Sequence, residues 1–230
     1  MEFGKCMYAF LIAISYIFYL PKTIFSLEMP EKQITARLIA STGNINRLKL
    51  RNPYKYLKPE QKDKWAQIIA EVGQTNIVIF DRSGQSIPEM RTKIRKMKRE
   101  FPDQKPIVFI DYLTLIRPVN PYNGNTHQQV TEISQGLKRM AKDLQIPVIC
   151  LAQLNRSVET RSNKRPLMSD IRESGSVEQD ADVIIFLYRE KYYERDNADP
   201  TLELIVAKNR NGPVGTITVK YNVHTGKIEP

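Results

Sequence analysis

Cysteine is nearly absent: Cys6 and Cys150 are the only two in 230 residues. Two thiols so far apart give neither a disulfide framework nor metal-ligand spacing. Their scarcity fits a reducing, cytoplasmic setting. Cys150 lies inside an apolar run, where a thiol behaves as a small hydrophobe. Internal repeats and low-complexity tails are also missing. Long hydrophobic runs are lacking too. The apolar stretch at residues 7–20 has 14 residues, short of the ~20 that cross a bilayer. It follows Lys5 and resembles a signal-peptide core, but Pro21-Lys22-Thr23 follows it instead of a small-residue cleavage site. A buried helix of an α/β domain is the better reading, and no membrane partner is expected. Acidic residues are in deficit, 25 against 35 Lys and Arg, for a net charge of +10. That balance points to a polyanionic partner, nucleic acid ahead of a membrane surface. The alternative is a merely basic cytosolic protein.

What is present is a chain of ordinary globular composition, 41% hydrophobic and 26% charged, long enough for one substantial core. Pro106-Ile-Val-Phe-Ile-Asp111 is its most informative stretch. A short apolar run bounded by Pro reads as a strand buried on both faces of a parallel sheet. Pro147-Val-Ile-Cys-Leu-Ala-Gln153 repeats the layout. Further strands are expected at residues 23–27, 76–80, 183–187, 202–207 and 216–219. The turn Asn211-Gly-Pro-Val-Gly215 joins the last two as a hairpin. Between the strands, residues 31–41 carry Ile34, Leu38 and Ile39 at helical spacing. Residues 59–72 read as one helix with Trp65, Ile68, Ile69 and Val72 on its buried face. Residues 44–58 are loop or short helix.

Ser86-Ile-Pro-Glu89 has the spacing of a capping box with Pro in the first turn. Met90, Ile94, Met97 and Phe101 then line one helix face. Arg91, Lys93, Arg95, Lys96, Lys98 and Arg99 line the other, either as a solvated face or as a nucleic-acid contact. Val130, Ile133, Leu137, Met140 and Leu144 make the core stripe of another helix. Strands alternating with helices and followed by closing strands give an α/β domain with a mainly parallel sheet.

Ligands of such sheets sit beyond the carboxyl ends of strands. Asp111 ends a buried strand there and can hold Mg²⁺ beside phosphates, or cap the following turn. Glu28 follows the first strand, where a carboxylate can polarise water or be an exposed helix-start acid. Gly4-Lys5-Cys6 has the end of a phosphate loop, G-x-x-x-x-G-K-[ST]. Its first glycine would fall before Met1, and Cys6 stands where a hydroxyl serves Mg²⁺, for which a thiol is a poor ligand. Residues 155–172 form a flexible cationic segment with Arg156, Arg161, Lys164, Arg165 and Arg172. It suits phosphate-backbone contact, or is a disordered surface loop. Aromatics are absent from it, so base stacking is not expected. Lys208 and Arg210 flank a strand end and can reach phosphate in the same or a neighbouring subunit, or form a surface turn.

Five segments together resemble the C-terminal ATPase domain of the DnaB family of replicative DNA helicases. They are Ile24-Phe-Ser-Leu-Glu-Met29, Ile110-Asp-Tyr-Leu113, Leu151-Ala-Gln-Leu-Asn155, the block from Ser169 to Asp182, and Ala207-Lys-Asn-Arg-Asn-Gly-Pro-Val-Gly215. The resemblance implies one RecA-like P-loop ATPase domain over residues 1–230, with C-terminal antiparallel strands. It implies a homo-oligomeric ring, usually a hexamer, with ATP and Mg²⁺ between subunits. Glu28 matches the water-activating carboxylate and Asp111 the Walker B acid. Gln153 matches the γ-phosphate sensor that relays to the DNA loops. Lys208 and Arg210 match the pair reaching a neighbour's nucleotide. Gly4, Lys5 and Cys6 match the end of the ATP-binding loop. Arg172, Glu173 and Gly175 match the loop gripping single-stranded DNA, and the loop at residues 117–126 is expected to face the same channel. A primase or helicase loader is an implied partner.

Two departures from the family pattern stand out. The helical N-terminal domain of such helicases is not expected in this chain, and Lys5-Cys6 replaces Lys-Thr or Lys-Ser. Two functions therefore compete: an ATP-driven helicase motor domain, and a catalytically weak DNA-binding or ring-interacting remnant of one. A RecA-like recombinase is a third, against which the block from Ser169 to Asp182 argues.

Overall fold

The computed structural model describes residues 21–120, 122–171, 175–193 and 199–229. Among the described residues eight strands divide into two sheets. The first is parallel, in the order β2-β1-β3-β4, built from β1 (Lys22–Ser26), β2 (Ile77–Phe80), β3 (Ile107–Asp111) and β4 (Val148–Cys150). The second is antiparallel, in the order β5-β6-β7-β8, from β5 (Val183–Tyr188), β6 (Thr201–Asn209), β7 (Gly215–Tyr221) and β8 (Ile228–Glu229). The expected mainly parallel sheet with closing antiparallel strands is thus resolved into two four-stranded sheets. Strand β8, pairing Tyr221 with Ile228, adds a strand that the sequence did not suggest.

Both faces of the parallel sheet are covered, as its apolar runs require. Alternate residues of a strand point to opposite faces, and β3 divides accordingly. Val108 and Ile110 pack with Phe25, Met90, Ile94, Ile133 and Met140. Ile107 and Phe109 pack with Ile24, Ile34 and Leu38 on the other side. The first layer comes from α5 (Ile87–Glu100) and α6 (Thr126–Leu144), the second from α1 (Glu31–Thr42). Gly136 lets α5 and α6 close up, since a Cβ there would stand 2.5 Å from Ile87 Cδ1. The expected stripe of α6 is buried throughout. On α5 the stripe holds for Met90, Ile94 and Met97, while Phe101 is only half-buried beyond the helix.

Helix starts follow the sequence signals. Glu89 accepts hydrogen bonds from the Ser86 backbone N–H and hydroxyl, both at 2.7 Å. Those bonds, against an opposing burial effect and with the Arg117 charge and its bond adding to them, hold the Glu89 carboxyl down at about 2 against the usual 4.5. Asn125 caps α6 by accepting from Gln128 N–H at 3.1 Å. Helix α1 has no such local cap. Asp81, from the loop after β2, accepts from Glu31 N–H at 2.9 Å instead.

Three short α-helices lie between α1 and β2, after a 3-10 turn at Arg47–Arg51: α2 (Pro53–Tyr56), α3 (Pro59–Asp63) and α4 (Trp65–Gly73). The helix expected over residues 59–72 is broken at Lys64. Within α4 the adjacent Ile68 and Ile69 point in different directions, so Ile68 is buried while Ile69 is 46% exposed.

The basic face of α5 is also not a plain solvated face. Lys93 sits 4.5 Å from the Phe80 ring centroid and 6.0 Å from that of Phe25 and donates to the Gln85 side chain. Arg91 pairs with Asp143, and Lys98 donates to the Leu144 carbonyl at 2.9 Å. Arg95, Lys96 and Arg99 remain as the outward cations of that helix.

Candidate nucleotide and nucleic-acid site

The carboxyl ends of β1, β3 and β4 stand side by side. Ser26 is in register with Asp111, and Ile110 with Cys150. The ladder continues past the strands. Leu27 N–H donates to the Asp111 carbonyl at 2.8 Å, and Leu113 N–H to that of Leu151 at 2.8 Å. Backbone bonds therefore fix one edge that carries Glu28, Asp111 and Gln153, the three residues expected to work together. Asp111 is 4% exposed, and its peptide bond to Tyr112 is cis.

Glu28 and Gln153 are exposed. The turn carrying Glu28 is pinned by buried Ser26, whose hydroxyl donates to the Met29 carbonyl at 2.6 Å and accepts from Met29 N–H at 3.3 Å. Sequence inspection missed Ser26 because a serine ending an apolar strand carries no signal of its own. Burial, and secondarily the negative charge of Asp111, push the Cys150 thiol up to about 12. Cys150 is therefore a neutral, soft neighbour of the acid and no ligand for a hard cation.

Among the described residues no group of three or more His, Cys, Asp and Glu is gathered for a metal ion. Mg²⁺ bound beside a nucleotide needs no such cage, since one or two carboxylates and phosphate oxygens suffice. A buried carboxylate at a strand end fits that need. Gly4, Lys5 and Cys6 lie outside the described residues, as does the apolar stretch at residues 7–20.

Lys208 and Arg210 close the antiparallel sheet against α7 (Gly175–Asp180). Lys208 Nζ donates to the Glu178 carbonyl at 2.5 Å, and Arg210 to the Gln179 carbonyl. Cations at a helix carboxyl end satisfy its orphan carbonyls. Asp182 holds the group together. It accepts from Lys138 at 2.5 and 2.6 Å, and lies 3.2 Å from Arg210 Nε. The hydrogen bond from Lys138 keeps its carboxyl below the usual range despite an opposing burial effect, with the charges of Lys138, Arg210 and Lys208 adding to it. At Gly212 next to this pair, a Cβ would stand 2.6 Å from the Asn209 side-chain amide nitrogen, which would have to move aside.

The segment expected to be flexible, residues 155–172, is folded as far as residue 171. Leu154 and Ile171 form an antiparallel bridge, and Asn155 N–H donates to the Asp170 carbonyl at 2.7 Å. Arg161 forks onto Asp170 at 3.0 and 2.7 Å. Arg165 forks onto Glu203 at 3.1 and 2.7 Å and lies 4.9 Å from the Tyr188 ring, while Lys164 lies 5.0 Å from that of Tyr193. Aromatics absent from the segment itself are thus supplied by β5 and the turn after it. Arg156 is exposed. Gly175 opens α7 and is exposed, whereas Arg172 and Glu173 lie outside the described residues. The loop before α6 is caged by Glu132, which accepts from Val119 N–H at 2.8 Å and the Asn120 side chain at 3.0 Å. Asp170 and Asp182 belong to the block from Ser169 to Asp182. That block was legible as a family pattern, but not the roles of its individual acids.

The sequence model of the DnaB-like helicase C terminal domain matches residues 2–230. The replicative DNA helicase DnaB of Geobacillus stearothermophilus is 44% identical over 199 residues, 86% of this chain and 43% of the relative. The replicative DNA helicase DnaC of Bacillus subtilis (strain 168) matches equally, at 44% over 199 residues. The chain thus spans less than half the length of these curated relatives. Among solved structures, an ATPase domain superposes with a TM-score of 0.92 at 39% identity, covering 98% of this chain and 80% of that one. A DnaB-like replicative helicase, described with its interactions with primase, gives 0.87 at 41% identity, covering 91% and 50%. The RadB recombinase, at 13% identity and a TM-score of 0.57, shares the fold alone. Among the described residues no helix is long and apolar enough to cross a membrane.

Proposed function

The chain belongs to the DnaB-like helicase C-terminal domain family, and from that premise we propose that it is the motor domain of an ATP-dependent replicative DNA helicase. It couples ATP hydrolysis at the interfaces of a homo-oligomeric ring to movement on single-stranded DNA and duplex unwinding. The observation that carries this reading is the register of β1, β3 and β4, which gathers Glu28, Asp111 and Gln153 on one edge.

Glu28, exposed after β1, accepts a proton from the attacking water. Gln153 hydrogen-bonds the γ-phosphate from the neighbouring strand end. Asp111 would hold Mg²⁺, and Gly4, Lys5 and Cys6 of the phosphate loop would bind the ATP phosphates. When bound, the cation neutralises phosphate charge. Lys208 and Arg210 reach the nucleotide of the adjacent copy, giving up their bonds to α7 to do so. Arg156 and Lys164 contact the DNA backbone, and Arg172, Glu173 and Gly175 grip the single strand. By analogy with the helicase described with primase, a primase or a helicase loader is the partner of the assembled ring.

The test is Mg²⁺-dependent ATP turnover with and without single-stranded DNA, comparing the chain with its Asp111→Ala variant. Turnover that rises with DNA and is lost on substitution is expected. Activity indifferent to Asp111 would remove that residue from the site.

Cys6 favours a second reading, a DNA-binding remnant of such a motor, because a thiol serves Mg²⁺ poorly. This remnant binds DNA in a salt-sensitive way and has no nucleotide affinity. Tight binding of a non-hydrolysable ATP analogue would rule it out.

A further inference from the structure

The fork between Arg161 and Asp170 closes a body that begins at Gln153 and ends one residue short of the DNA-loop segment. Just past β4, Leu151 N–H still donates to the Ile110 carbonyl of β3 at 3.0 Å, and the chain runs on through Gln153 to Leu154 and Asn155. They then run antiparallel against Asp170 and Ile171. The excursion between them folds onto a single buried carboxylate. Asp170, 4% exposed, accepts two bonds from Arg161 and a third from Leu167 N–H at 2.7 Å. Arg161 also donates to the Arg165 carbonyl at 3.0 Å. Beneath lie Ile171, Ile184 and Phe186, with Leu154 and Met168 packed against them.

A guanidinium has five N–H donors. In Arg161 three of these are used within the chain, and Nε is buried. Little of the group remains for a DNA phosphate. We propose that Arg161 and Asp170 are positioning residues, and that Arg161 is not a DNA contact. Their fork makes residues 153–171 one rigid strut, so that a shift of Gln153 at the nucleotide reaches the segment from residue 172 without being absorbed in the loop. This rests on the ATP-and-DNA reading given above.

Arg161→Lys keeps the charge and loses the fork. It is expected to leave DNA-free ATP turnover and affinity for a fluorescent oligothymidylate within about twofold, since neither site loses a contact. The stimulation of turnover by that oligonucleotide falls to near one. Amide exchange at Asn155 and Leu167, the two N–H groups that donate to Asp170, rises together by roughly tenfold or more, the scale of one charge-assisted bond. The double variant Arg161→Gln, Asp170→Asn removes the charge without stranding a buried carboxylate. It leaves the salt dependence of oligonucleotide binding unchanged. Full stimulation in Arg161→Lys, unaltered exchange at both amides, or a salt slope lowered by about one in the double variant would each overturn the strut. Absence of DNA-stimulated turnover in the unsubstituted chain refutes the motor reading instead, and the exchange experiment still decides whether the strut exists.

Discussion

At the carboxyl edge of the parallel sheet, backbone register does the positioning, whereas at the edge of the antiparallel sheet side chains hold one another. Glu28 and Gln153 owe their places to the ladder of β1, β3 and β4 and to the Ser26 turn. Their side chains have no hydrogen bond or ion pair with other described residues. Lys208 and Arg210 are instead drawn onto the carbonyls of α7 and the carboxylate of Asp182. The first arrangement leaves reactive groups open toward a ligand at no cost to the fold. The second holds cations in internal bonds, which under the proposed reading are exchanged when Lys208 and Arg210 serve a neighbouring copy. Substitutions at the two edges should therefore differ in what else they disturb.

The largest effect is expected at the engaged edge. Arg210→Ala should lower DNA-stimulated ATP turnover of the assembled protein by ~10³-fold or more, as for loss of an arginine supplied in trans. Its half-exposed ion pair and helix-end bond add a thermal destabilisation of only ~0–1 kcal/mol, read as a small drop in the melting midpoint. Glu28→Gln at the open edge should lower turnover by ~10²–10⁴-fold and leave that midpoint unchanged. A melting shift in Glu28→Gln larger than that in Arg210→Ala would reverse the comparison.

Acid separates structure from site in another way. The Glu89 carboxyl titrates at about 2 in the folded chain against the usual 4.5. A depressed carboxylate contributes stability that is complete above its unfolded value and is lost as pH falls toward its folded one. Thermal scans between about pH 5 and about pH 2 should show that loss in the unsubstituted chain and less of it in Glu89→Gln. Glu132 acts with the same sign: burial opposes, but hydrogen bonds from Val119, Asn120 and Tyr122 prevail and lower its pKa. The loop it cages should loosen as pH falls below the usual carboxylate range.

The smallest effect concerns Cys150. With its thiol pushed up to about 12, alkylation at neutral pH, followed by peptide mapping, should label it only after unfolding. Rapid native labelling would mean that this end of β4 is open to solvent.

Much of the open edge was legible because it is written locally. Four apolar residues ending in Asp111 specify a doubly buried strand, and Ser86 with Glu89 specifies a helix start. Interactions across the chain were not legible. Nothing near Lys93 announces Phe25 and Phe80, and nothing near Arg165 announces Glu203 and Tyr188. Periodicity ran through Lys64 although the helix does not: Pro59–Asp63 buries no side chain, and Trp65, Ile68 and Val72 after the break do the packing. A cationic segment reads as a free loop when the carboxylate that folds it, Asp170, lies nine residues away.

Whether the two edges form one site is tested most directly by mixing two inactive chains. Glu28→Gln lacks the open edge's base and Arg210→Ala lacks the engaged edge's cation. Random assembly of an equimolar mixture places both intact groups at about a quarter of head-to-tail interfaces. DNA-stimulated ATP turnover in the mixture well above that of either variant alone is the expected result. A mixture no more active than the average of its two components would contradict a site shared between copies.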